Sequence, residues 1–157
     1  MPPRVYIETS VIGYLTMRLS HDLVTAAAQA VTRDWWETRR AAFDLVSSEV
    51  VREEIAAGDP GAVKDRLEIL AGLRLLDVTE AAGLLAERLL SEGPLPSRAQ
   101  YDALHIAVSA IHGVDYLLTW NCKHIANAAM RPSIERLSRL AGYEPPIMCT
   151  PQELLDG

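Results

Sequence analysis

The sequence predicts an α/β protein: a three-layer α/β/α sandwich with a central parallel sheet of four to five strands. Three observations point there. Short apolar runs alternate with stretches of helical periodicity along the whole chain. That alternation calls for crossover connections, and so for a parallel sheet covered on both faces. No internal repeat, low-complexity tract or dividing linker interrupts the pattern, so residues 1–157 read as a single domain.

The predicted strands are Arg4 to Ile7, Phe43 to Ser47, Leu73 to Val78, Tyr116 to Trp120 and Ile147 to Cys149. Between them, Ser20 to Ala42 is expected to hold two helices. Helices are also expected over Glu49 to Ala57, Pro60 to Ala71, Glu80 to Ser91, Ser97 to His112 and Cys122 to Leu140. Asp59-Pro60 fits an N-cap followed by proline at the first helical position. Thr150-Pro151-Gln152-Glu153 has the form of a capping box and predicts a short terminal helix. Gly72, Gly93, Gly113 and Gly142 each follow a helical stretch, where a left-handed residue is wanted. Gly93-Pro94-Leu95-Pro96 reads as the entry loop to the next helix.

Hydrophobic residues make up 49% and charged residues 23%, an ordinary globular balance. No apolar run approaches the about 18 residues of a membrane span, and Met1-Pro2-Pro3-Arg4 leads straight into a strand. The expectation is a cytoplasmic protein without a signal peptide or membrane contact. Cys122 and Cys149 are isolated and read as free thiols. A net charge of −6 argues against a general nucleic-acid coat protein, because such affinity comes from neutralising phosphates. It is compatible with a nuclease whose acids bind cations. Two arginine groups, Arg33, Arg39 and Arg40, and Arg131, Arg136 and Arg139, read as solvated helix faces or as phosphate grips.

The acids carry the functional signal. Ligands gather at the carboxyl ends of the strands in an open parallel sheet. Glu8 closes the first strand, Glu53 and Glu54 lie shortly after the second, and Asn121 follows the fourth. A glutamate ending a buried strand has little structural purpose, whereas Asn121 also fits a helix N-cap. Asp102, His105, Ser109 and His112 recur at helical spacing on an otherwise apolar helix and should face one polar pocket. Asp102 reads as functional there and His105 as a core histidine bonded to a neighbour. Ionised carboxylates in apolar surroundings need a compensating cation or donors, which suggests an all-oxygen site for a hard divalent metal. His124 and Cys122 lack zinc spacing. Trp35, Trp36 and Trp120 fit base stacking less well than packing.

The motifs Ile7-Glu8-Thr9-Ser10, Ser48-Glu49-Val50 leading to Glu54, Asp102-Ala103-Leu104-His105-Ile106-Ala107 and Leu117-Leu118-Thr119-Trp120-Asn121 occur in this order. Together they resemble a PIN domain of the VapC-like toxin group, over nearly the whole chain. The resemblance implies an Mg²⁺- or Mn²⁺-dependent endoribonuclease, the toxin of a type II toxin–antitoxin pair, with an antitoxin partner and a homodimeric state. It places Glu8, Glu54, Asp102 and Asn121 as catalytic, metal-holding residues, with Thr9 or Ser10 on a phosphate oxygen or metal-bound water. Leu84, Leu85 and Leu89 are candidates for an interface helix. Two positions depart from the family pattern: Glu8 replaces the usual aspartate, and Asn121 replaces the usual fourth acid. Because metal affinity falls with ligand charge, the alternative is a catalytically weak or inactive scaffold of the same fold that binds RNA or protein. A phosphoaspartate enzyme would need an aspartate pair where Glu8-Thr9-Ser10 stands.

Overall fold

The computed structural model describes residues 1–156. Five parallel strands form one sheet: β1 (Arg4–Ile7), β2 (Asp44–Ser48), β3 (Arg74–Leu76), β4 (Tyr116–Leu118) and β5 (Ile147–Cys149), in the spatial order β3-β2-β1-β4-β5. The first strand is central. Val5, Tyr6 and Ile7 are all fully buried although they alternate between faces, so helices cover both sides of the sheet. The chain runs from β1 outward through β2 to β3, then returns to the other side of β1 as β4. Such a reversal opens a crevice at the carboxyl ends of the two diverging strands, here β1 and β4. The register sets Ile7 beside Leu118, so Glu8 and Thr119 leave the sheet together.

Seven α-helices surround the sheet: α1 (Thr9–Thr16), α2 (Leu23–Thr38), α3 (Glu49–Ala56), α4 (Val63–Ala71), α5 (Glu80–Ser91), α6 (Gln100–Ile111) and α7 (Arg131–Leu140). α1 packs on α2, α3 and α4, whereas α5 packs on α6 and α7. α3 also meets α6, and this contact lets residues from the two sides of the sheet share one site.

Several elements differ from the sequence expectation. α1 is absent from the expected elements. Its β-branched residues and Gly13 are poor helix formers, but Val11 and Ile12 are fully buried, and tertiary packing overrides propensity. Ser20 to Ala42 holds one long α-helix and a 3₁₀ turn over Arg40–Ala42, with Asp22 capping α2 through the Thr25 N–H at 2.9 Å. Asp59 and Pro60 form a turn in which Asp59 accepts from the Gly61 N–H, and α4 begins only at Val63. Cys122 to Met130 is a series of turns. Asn127 accepts from the Ala129 and Met130 N–H groups, and Pro132 marks the start of a shorter α7. The terminal capping bond forms, with the Thr150 N–H donating to Glu153 at 2.8 Å, but it closes a turn rather than a helix. Gly113 and Gly142 have positive φ as expected, and Gly72 does not. Gly93 is needed for close approach instead: an added Cβ would lie 2.6 Å from the Leu89 carbonyl oxygen.

Candidate active site

The site grows from the end of β1. Glu8 occupies the N-cap position of α1, yet its side chain does not cap the helix. It turns into the crevice, 4% exposed, where one carboxylate oxygen accepts hydrogen bonds from Ser10 and Thr119 hydroxyls, both at 2.5 Å. These charge-assisted bonds, together with the positive end of α1, compensate a buried negative charge. The Ser10 hydroxyl oxygen also accepts from the Trp120 N–H at 2.8 Å, and the Thr119 oxygen from the Asn121 N–H at 2.9 Å. Crevice and carboxylate are thereby tied across the β1–β4 seam.

Glu54 arrives from the last turns of α3, whose start is fixed by Ser48 accepting from the Val50 N–H. Thr9 donates to Glu54 Oε1 at 2.6 Å. The neighbouring Glu53 is exposed and is not part of this cluster. From α6, fully buried His105 presents Nε2 to Glu54 Oε1 in a very short hydrogen bond and lies 3.9 Å from Glu8 Oε2. Its Nδ1 is hydrogen-bonded to the Tyr6 hydroxyl at 2.8 Å, and that hydroxyl lies 2.6 Å from Ser48 Oγ.

Burial alone would keep His105 neutral. The hydrogen bond to Glu54, then the charges of Glu8, Glu54 and Asp102, outweigh it and raise the imidazole above its ordinary value. Burial likewise opposes ionisation of Glu54, but the His105 bond and charge and the Thr9 hydroxyl hold it below the usual range. Burial, followed by the repulsion of Glu8 and Glu54 against the help of Ser48, pushes Tyr6 upward and keeps the phenol neutral. One arrangement that satisfies these bonds has His105 donating from Nε2 to Glu54 and from Nδ1 to the Tyr6 oxygen, with Tyr6 donating to Ser48.

Asp102 and Asn121 form an adjoining pair rather than part of this knot. Asp102 Oδ1 accepts from the Asn121 amide at 3.0 Å, and Oδ2 accepts from His124 Nδ1 at 2.8 Å. Asn121 Oδ1 accepts from the His124 N–H, which closes a turn rather than capping the helix expected from Cys122. All three residues are half-buried. The expected stripe on α6 does not face one pocket: the Ser109 hydroxyl donates to the His105 carbonyl, and His112 reaches the Asp77 carbonyl.

One ligand atom from each of Glu8, Glu54 and His105 lies within 4.8 Å of the others. Two carboxylates ringed by hydroxyls suit a hard divalent cation, and the imidazole would add a nitrogen ligand only on giving up its Nε2 proton. Sequence reading found both acids. It read His105 as a core histidine bonded to a neighbour and did not see its position between the acids. It gave no role to Tyr6, Ser48 or Thr119, and weighed His124 only as a zinc ligand. Tyr6 looks like core in a strand, whereas Thr119 lay within a quoted motif.

Members of both arginine groups make contacts within the fold. Arg139 pairs with Glu135 and Glu144, Arg40 lies over the Trp36 ring, and Arg131 donates to the Met148 carbonyl. Trp35 is fully buried, and burial pushes the Cys149 thiol up to about 12. Among the described residues no helix is long and apolar enough to cross a membrane.

Residues 5–123 match the PIN domain family, and the chain belongs to it. A similar solved structure is VapBC2 from Rickettsia felis bound to a DNA fragment from its promoter. It shares 15% identity at a TM-score of 0.47, covering 76% of this chain and 89% of that one. The sequence matches no curated protein.

Proposed function

We propose that this PIN domain is a metal-dependent endoribonuclease, and that it is the toxin of a type II toxin–antitoxin pair. One observation carries the nuclease reading: Glu8 and Glu54, 46 positions apart in sequence, converge with His105 at the β1–β4 crevice. Glu8 and Glu54 would hold an Mg²⁺ or Mn²⁺ ion, with Asp102 and Asn121 at its edge. A bound ion of this kind supplies Lewis acidity toward a phosphate oxygen and a water of lowered pKa. Ser10 and Thr119 fix the Glu8 carboxylate, and Thr9 fixes that of Glu54, so neither must reorganise to receive charge. His105 keeps a proton between the acids and offsets their repulsion while no other cation does so. Single-stranded or looped RNA is the substrate, since its phosphodiesters are open to such a centre. An antitoxin would silence the site by presenting an arginine to the same carboxylates. The homodimeric state and cytoplasmic location belong to this reading.

A second reading, a non-catalytic RNA- or protein-binding scaffold, is favoured by Asn121, which gives its amide to Asp102 and adds no charge of its own. Digestion of mixed RNA with Mn²⁺ decides between them. Cleavage should stop with chelator and with the Asp102→Ala variant. Equal digestion in all three samples removes the nuclease reading, and no digestion in any of them favours the scaffold.

A further inference from the structure

Beyond Thr9 and Ser10, which hold the acids, α1 continues in a strip that the nuclease reading leaves without a role. Ser10 and Tyr14 follow one line along this helix, and Thr9, Gly13 and Thr16 the next. Ser10 touches both Glu8 and the Trp120 backbone. One turn further on, the Tyr14 ring stacks with the Trp120 ring, centroids 5.9 Å apart and planes 22° from parallel. Trp120 is anchored, its indole N–H donating to Thr32 at 2.7 Å and its body packed on the core. Tyr14 is not. It is half-exposed, takes no part in the core, and its hydroxyl has no hydrogen bond among the described residues.

Two further observations continue the strip. Gly13 sits inside α1, where glycine is unfavourable, and its φ does not require it. An added Cβ would meet nothing within 4 Å, so the fold has room for a side chain that the sequence omits. At the end of α1, Arg66 donates to the Thr16 hydroxyl and Arg33 to the Met17 carbonyl, each at 3.3 Å. Two guanidinium groups therefore meet the last turn of this helix.

Resting on the RNA-cleaving reading above, we propose that this strip is the bed on which a single RNA strand lies. A nucleobase stacks on the Tyr14–Trp120 pair, and the sugar–phosphate chain passes over the bare backbone at Gly13. Arg33 and Arg66 meet its phosphates, and the next phosphodiester reaches Glu8 and Glu54. Tyr14 is in this arrangement a positioning residue. Stacking explains why an aromatic ring is held there without core contacts, and it serves any base.

The test uses the full chain with chelator present and a labelled, mixed-sequence single-stranded oligoribonucleotide, read by fluorescence anisotropy across a salt series. Tyr14→Leu should weaken binding by about 5- to 100-fold, while Tyr14→Phe stays within about twofold. The salt slope should not change for Tyr14→Leu, because no phosphate contact is lost. Gly13→Ala should raise the melting temperature while weakening binding, opposite signs that a purely structural glycine would not give. Binding that survives Tyr14→Leu and Gly13→Ala unchanged overturns this inference alone, whether or not the chain cleaves RNA. Absence of RNA binding by the unaltered chain at low salt also overturns this inference, while digestion with Mn²⁺ separately decides the nuclease reading.

Discussion

The knot of Glu8, Glu54 and His105 and the pair of Asp102 with Asn121 use the same residue chemistry in different surroundings. In the knot, His105 is fully buried and Glu8 nearly so, and each charge is answered by a named donor or an opposite charge. The Asp102 carboxylate is held by two side chains, Asn121 and His124, in half-exposed surroundings. Desolvation makes any unanswered charge in the knot costly, whereas water can replace either partner of Asp102. The knot is thus a fixed frame, whereas the partners of Asp102 can be exchanged for water.

The strongest way to break this comparison is His105→Ala, which strips the buried acids of their counter-charge. It should destabilise the fold by about 3–5 kcal/mol in urea unfolding. Next comes Glu8→Gln, which keeps the shape and an acceptor for Ser10 and Thr119 but removes the charge. Mn²⁺-dependent RNA cleavage should fall by about 100-fold or more with little change in melting temperature. Tyr6→Phe should cost about 1–3 kcal/mol, because Ser48 and His105 each lose a buried partner.

Acidity sharpens the same contrast. His105 is raised from its ordinary 6.5, so its contribution is complete below that value and drains away as pH rises through the higher folded value. Glu54 is lowered from its ordinary 4.5, so its contribution is complete above that value and is lost as pH falls through the lower folded value. Without metal, the melting temperature owed to this pair should therefore peak between 4.5 and 6.5 and decline on both sides. The alkaline decline should vanish in His105→Gln. The smallest effect is His124→Ala, about 1 kcal/mol or less, since Asp102 keeps Asn121 and gains water. A loss equal to that of His105→Ala would erase the distinction between the two regions.

The sequence displayed the sheet plainly, because central parallel strands such as Val5-Tyr6-Ile7 are continuous apolar runs with no polar face to confuse the reading. It hid α1, whose local propensities point away from helix and whose stability comes from burying Val11 and Ile12. It overextended the helix before Leu140, although Asn127 and Pro132 marked the true start. Glu8 and Glu54 were legible as acids placed by topology. The place of His105 was not, since its pairing depends on Tyr6, a residue indistinguishable from core until its hydroxyl is seen. Asp102 stood out as a charge on an apolar helix, but that signal carries no information about which way the carboxylate faces.

The hydrogen bond from Thr119 to Glu8 spans 111 positions of sequence. During synthesis the first strand emerges with its carboxylate long before the fourth strand exists to complete the crevice. A ribosome must finish most of the chain before the acids are assembled, so a nascent or prematurely terminated product carries no finished centre.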